Sequence, residues 1–187
     1  MPASPRARKE NQTSMSERAS IYICNLAELD RHVSRISPSH VVSLLTQSHM
    51  PATPVGITGD NHLKIVCHDI VQPFKGAVVP GDQHVQLLLD FAARWPGDAP
   101  MLLHCFAGVS RSTAAALVIG AVHFKGDMAT LAQRLRAAAP HAHPNTRIVE
   151  VADRMLGLGG ELVSAVEGIG YGTLVDRAPL TELSLAT

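Results

Sequence analysis

Leu102–Val118 reads LLHCFAGVSRSTAAALV. An apolar run ends in His104 and Cys105. Five loop residues, Phe106–Ser110, then lead to Arg111, two hydroxyl residues and an alanine-rich stretch. The run MLLHC (101–105) is too uniformly apolar for a half-exposed edge and predicts a central strand. The segment from about Ser112 to His123 predicts a helix. A cysteine at the C-terminal end of a strand and an arginine six positions on, with Gly108 between them, are placed for chemistry. A thiol is a nucleophile only when ionised, and a free one, titrating near ~8.5, is a few per cent thiolate at neutral pH. This stretch supplies three aids to ionisation. A loop containing Ala107 and Gly108 can curl its amides inward as an anion nest. The following helix points its positive N-terminus at the same spot. Arg111 adds a full charge, and its planar fork fits two oxygens of a phosphoryl group at once. Ser112 is placed to donate a hydrogen bond to the sulfur. Each feature alone has a plain reading as a small buried residue, a cap or a turn. The combination H-C-x-x-G-x-x-R-S between an apolar strand and an apolar helix favours function over those.

Working outward, SIYICNL (20–26), HVVSLLT (40–46) and HLKIVCHDI (62–70) predict three further strands. AELDRHVSRI (27–36) predicts a helix that ends at Ser37-Pro38. DQHVQLLLDFAARW (82–95) predicts an amphipathic helix with Val85, Leu88, Leu89 and Ala92 on one face and Asp82 as its N-cap. Met128–Ala138 and Thr146–Met155 read as two more helices, and GELVSAVEGIGYG (160–172) as a short helix or strand. Alternating strands and helices imply an α/β fold: a central, mainly parallel sheet of four to five strands flanked by helices. Residues 1–19 read as a disordered lead-in without a secretory apolar core, 20–160 as the catalytic domain, and 161–187 as a C-terminal extension of uncertain structure.

The bulk numbers narrow the function. A chain of 187 residues, 46% hydrophobic and 17% charged, has the length and composition of one globular domain. Its formal charge of zero argues against a large nucleic-acid footprint. Cys24, Cys67 and Cys105 cannot all pair with one another and match no zinc or redox spacing, so a reducing, cytoplasmic setting is expected. No apolar run is long enough for a membrane span.

At HCFAGVSRS (104–112) the chain resembles the protein tyrosine phosphatase superfamily, whose signature is HCxxGxxR[S/T]. Its compact size resembles the dual-specificity type, particularly small bacterial members, and the resemblance covers roughly Ile21 to Leu156. It implies that Cys105 becomes a phosphocysteine and that Arg111 and the loop amides of Phe106, Ala107, Gly108, Val109, Ser110 and Arg111 hold the phosphoryl oxygens. Ser112 would assist breakdown of the intermediate, and His104 would orient the loop and help keep the thiol ionised. Neither metal nor other cofactor is implied. An aspartic acid would protonate the leaving oxygen. Ligands of open α/β sheets lie beyond the C-terminal ends of the strands. That argues against Asp60 and Asp98, which precede strands; Asp82 reads as a cap and Asp90 lies within a helix. Asp69 follows the third strand at the same edge as Cys105, and its 36-residue separation from Cys105 resembles the family's placement of the acid. Asn145 is expected to support the site by a hydrogen bond, and His141 and His143 to be loop residues rather than metal ligands; Cys67, two residues before Asp69, reads as a buried strand cysteine ahead of the alternative of trapping an oxidised Cys105, a device of some relatives. With only Tyr22 and Tyr171 in the chain, no tyrosine-bearing wall deepens the pocket. The expected substrates are phosphotyrosine and also phosphoserine or phosphothreonine monoesters. The alternatives are a phosphoinositide, another small phosphate ester, or phosphate binding without catalysis.

Overall fold

Every residue of the strands HVVSLL (β2, His40–Leu45) and MLLHC (β4, Met101–Cys105) is buried, as two adjacent strands covered on both faces must be. The computed structural model describes residues 20–186; the expected lead-in over 1–19 lies outside them. Five strands form one sheet in the order β3-β2-β4-β1-β5, with β1 spanning Ser20–Asn25, β3 His62–Val66 and β5 Thr181–Ser184. β3, β2, β4 and β1 are parallel and β5 runs antiparallel to β1. The register sets Asn25 beside Cys105 and Leu45 beside Val66, so four strands end along one edge.

Helices cover both faces. α1 (Leu29–Ile36) lays Leu29 and Val33 on Cys24, Val41 and Leu102. On the other face Ile21, Ile23, Val42, Leu44, Ile65 and Leu103 meet α2 (Asp82–Arg94), α3 (Arg111–His123), α4 (Met128–Ala138), α5 (Thr146–Leu156) and α6 (Glu161–Gly168). Full burial of one such aliphatic side chain stabilises by about 1.5–3 kcal/mol. α3 is buried on all sides from Arg111 to Gly120, which suits its apolar sequence and fixes where its N-terminus points.

Three boundaries differ from the sequence reading. β3 stops at Val66 rather than Ile70. Cys67 N–H still donates to the Leu45 carbonyl (2.9 Å), but His68 N–H turns to Val78 (2.8 Å) and carries Asp69 away from the sheet. The N-cap of α2 is Gly81, not Asp82: the His84 ring accepts from Gly81 N–H (3.1 Å), and Asp82, inside the first turn, binds Arg154 (2.6 Å). An acid in that turn still complements the helix dipole. The predicted first helix opens as a 3-10 turn over Leu26–Glu28 before α1 begins. Beyond 160, α6 packs on α4 and α5 with its first amides held by the Asp153 carboxylate, and β5 completes the sheet. Among the described residues no helix is long and apolar enough to cross a membrane.

Candidate active site

Cys105 ends β4, and the chain then loops through Phe106–Ser110 into α3. The loop closes tightly at Gly108, whose φ is +77°. A Cβ there would lie 2.8 Å from the Cys24 carbonyl oxygen and 2.9 Å from its carbon. Gly108→Ala therefore combines a left-handed backbone with a clash against β1. It should cost about 1–3 kcal/mol of stability by thermal melting and displace the loop it sits in. A variant with unchanged melting would show that the turn tolerates a side chain.

The loop's carbonyls are turned outward onto flanking elements. Phe106 accepts from Leu26 N–H (3.2 Å), Ala107 from Ala178 N–H (2.8 Å), Val109 from His143 N–H (3.0 Å) and Ser110 from Asn145 N–H (3.3 Å). The Thr113 hydroxyl adds a bond to Val109 (2.6 Å). Among the described residues, the amides of Ala107 to Arg111 donate to no backbone acceptor outside the helix. A peptide unit with its carbonyl outward presents its N–H on the opposite side, so the loop carries an anion nest capped by the N-terminus of α3.

The side chains complete this ring. Ser112 Oγ lies 3.2 Å from Cys105 Sγ. Arg111 is buried; one terminal nitrogen donates to the Cys67 carbonyl (2.9 Å), while Nε is buried without a hydrogen-bond partner and lies 3.7 Å from Asp69 Oδ2. Asp69 Oδ1 accepts from the Ser110 hydroxyl (2.7 Å) and from Asn145 Nδ2 (2.9 Å). Asn145 also caps α5 by accepting from Ile148 N–H (3.2 Å), so it ties the acid loop to that helix. His104 is fully buried behind the loop with Nε2 2.6 Å from Ser43 Oγ. Burial lowers its pKa to about 4, so it is neutral at pH 7 and aids the thiol by no positive charge. Burial likewise pushes the Cys67 thiol up to about 11 and the Cys24 thiol up to about 12, leaving both protonated.

Two clefts meet at Asp69. One of about 340 Å³ is lined by Leu45, Thr46, His49, Phe106, Ala107 and Arg111. The other, about 710 Å³, runs past Val71, Phe74, Ser110 and Asn145. Phe106 (55% exposed) and Phe74 (74% exposed) stand on their rims. Cys105 is only 1% exposed, so its sulfur is covered beneath the loop rather than forming an open floor.

No family model and no curated protein matches the sequence. Solved structures do. DUSP15 superposes with a TM-score of 0.56 at 18% identity, over 80% of this chain and 89% of that one. Human DUSP28 gives 0.55 at 15%, over 83% and 94%. The Cydia pomonella PTP-2 phosphatase gives 0.53 at 17%, over 86% and 92%. The fold is that of the dual-specificity and tyrosine phosphatases. On this phosphatase fold the chain gathers Cys105, Arg111, Ser112, Asp69 and Asn145 at one sheet edge, with His104 behind. His143 stacks on Tyr171 (5.1 Å), and His141 is buried nearby. Sequence reasoning missed three parts: the Ser110 hydroxyl as a holder of Asp69, the Cys67 carbonyl as the seat of Arg111, and Ala178 as a prop of the loop. The last two act through backbone atoms, which leave no trace in side-chain identity.

Proposed function

We propose that this protein hydrolyses phosphomonoesters of protein side chains through a phosphocysteine intermediate. The observation that carries the reading is the loop itself. Four of its carbonyls are spent outward; among the described residues its amides from Ala107 to Arg111 meet no backbone acceptor outside the helix, and a buried guanidinium whose Nε has no hydrogen-bond partner follows the cysteine. That donor set suits a tetrahedral dianion. In the first step the Cys105 thiolate attacks phosphorus, the P–O ester bond breaks, and Asp69 gives its proton to the leaving oxygen. In the second, the Asp69 carboxylate takes a proton from water as the water oxygen bonds to phosphorus. The P–S bond then breaks, and Ser112 stabilises the departing thiolate. Arg111 and the amides hold the three equatorial oxygens throughout.

The clefts support phosphotyrosine together with phosphoserine and phosphothreonine as substrates. They are open, and the exposed rings of Phe106 and Phe74 can flank an aryl group without requiring one. Among the described residues no lysine lines either cleft, which disfavours a polyanionic lipid headgroup. The burial of Cys105 favours a second reading, phosphate binding without turnover. Incubation of the purified protein with an aryl phosphate and with phosphopeptides, followed by acid quench and peptide mapping, separates the two. Turnover with a phosphoryl adduct on Cys105 is the expected result. Saturable binding of inorganic phosphate with neither turnover nor adduct would leave the binding module.

A further inference from the structure

Ser43 stands in the middle of an apolar strand and is fully buried. A buried hydroxyl is costly unless its hydrogen bonds are met. Ser43 Oγ lies 2.6 Å from His104 Nε2 and 2.7 Å from His62 Nε2, and His62 Nδ1 lies 3.1 Å from Thr53 Oγ1. A continuous chain of polar contacts thus runs from the loop before β3, through the core, to the residue preceding Cys105. We propose that Ser43 and His62 are positioning residues: through this chain they fix which nitrogen of His104 carries its proton, and so hold the Cys105 loop in its anion-binding form. The inference rests on the reading of Cys105 as nucleophile.

Burial takes both ring pKa values to about 4, so each ring is neutral at pH 7, with one N–H and one lone pair. The groups acting on them do not reverse this. Across the sheet from His104 is Cys24, held protonated by burial; Arg111 also faces His104, and Lys64 acts on His62. Both cations favour neutral rings. Ser43 owns one proton, so at most one ring can accept from it, and two rings both donating would leave its buried hydroxyl proton without either imidazole as acceptor; the two Nε2 atoms are therefore in opposite states when every contact is used. In one polarity Thr53 donates to His62 Nδ1, His62 Nε2–H to Ser43, and Ser43 to His104 Nε2, which puts the His104 proton on Nδ1. In the other, every bond is reversed. His104 Nδ1 is buried without a partner in full hydrogen-bond geometry, yet the Cys105 backbone acts on the ring in the sense that favours protonation. The first polarity leaves Nδ1–H available to the Cys105 backbone, where a bond would steady the strand end that carries the thiol.

The test is the pH profile of Cys105 alkylation by iodoacetamide, followed by peptide mapping, because it needs no substrate and reports the thiolate directly. In Ser43→Ala the rate at pH 6 should fall about ten-fold relative to the unaltered protein and converge with it at pH 10. The acid limb of kcat/KM for an aryl phosphate should move in parallel, and Ser43→Thr, which restores the hydroxyl, should recover most of the rate. His62→Phe covers the case in which Ser43→Ala does not fold. It removes the N–H that donates to Ser43, and with it the group that turns the Ser43 proton toward His104, and should lower the rate at pH 6 by about three-fold while converging with the unaltered protein at pH 10. A folded Ser43→Ala protein with an unaltered alkylation profile would overturn the proposal, as would an unaltered profile in a folded His62→Phe protein. Absence of phosphatase turnover with the alkylation shift intact would instead sink the catalytic reading alone.

Discussion

Cys105→Ser should lower turnover of an aryl phosphate by about five orders of magnitude while leaving the fold and the affinity for inorganic phosphate nearly unchanged. The size follows from what surrounds the sulfur. A serine hydroxyl is a competent nucleophile only beside a general base. The polar side-chain partner of Sγ is another hydroxyl, that of Ser112 at 3.2 Å. His104 is the nearest imidazole in sequence, but its Nε2 is engaged by Ser43 and its ring lies behind the loop. Among the described residues no base is hydrogen-bonded to the side chain at position 105, and Asp69 serves as the acid in the first step. The substitution is nearly isosteric and preserves a bond to Ser112, so melting should shift by no more than a few degrees. The phosphate donors, Arg111 and the loop amides, are untouched, and titration calorimetry with inorganic phosphate should give a Kd within about three-fold of the unaltered protein's. Residual turnover within ten-fold would remove Cys105 from the nucleophile's role, wherever the phosphate binds.

What the sequence disclosed and what it withheld divide along a physical line. The strands and helices were legible because apolar periodicity is local: HVVSLL and MLLHC are buried strands on their face, and α4 stands over Met128–Ala138 as its pattern predicts. The Cys105–Ser112 cluster was legible for the same reason, since loop, thiol and guanidinium follow one another along the chain. Asp69 required one step of topology, the rule that a parallel sheet gathers its functional loops at the C-terminal edge, and it lies there against Ser110 and Asn145. The rest depends on register or on backbone atoms. TELS, the four residues of β5, has no apolar run and becomes a strand only because the edge of β1 is there to pair with it. Val41 pairs with His62 and Ser43 with Lys64, so Ser43 and His62 are diagonal neighbours on one face. A single hydroxyl inside HVVSLL hints that a partner exists, but only the register names it. The Asp82 reading failed by one residue because Gly81 has its own cap partner in the ring of His84.

Asp69→Asn should separate substrates by the quality of their leaving group. For a nitrophenyl phosphate, whose leaving oxygen departs unprotonated, kcat/KM should fall by less than about ten-fold. For alkyl phosphates such as phosphoserine peptides it should fall by about 10²–10³, the usual contribution of a placed general acid. The geometry makes this substitution clean. An asparagine carbonyl oxygen can still accept from Ser110 and Asn145, at 2.7 and 2.9 Å in the present structure, so the loop keeps its position while the proton is lost. The charge facing Arg111 at 3.7 Å is also lost, and the guanidinium then meets a phosphate dianion without a competing anion. Binding of inorganic phosphate should therefore hold or tighten. Breakdown of the intermediate should slow as well, because the base that activates water is gone, and a good leaving group should then give a burst of nitrophenol followed by a slower steady state. The basic limb of the kcat/KM profile for alkyl phosphates should flatten with the acid removed. Equal losses on both classes of substrate, without a burst, would mean that Asp69 only holds Arg111 and Ser110 in place, and the proton would have to come from another group at the same cleft.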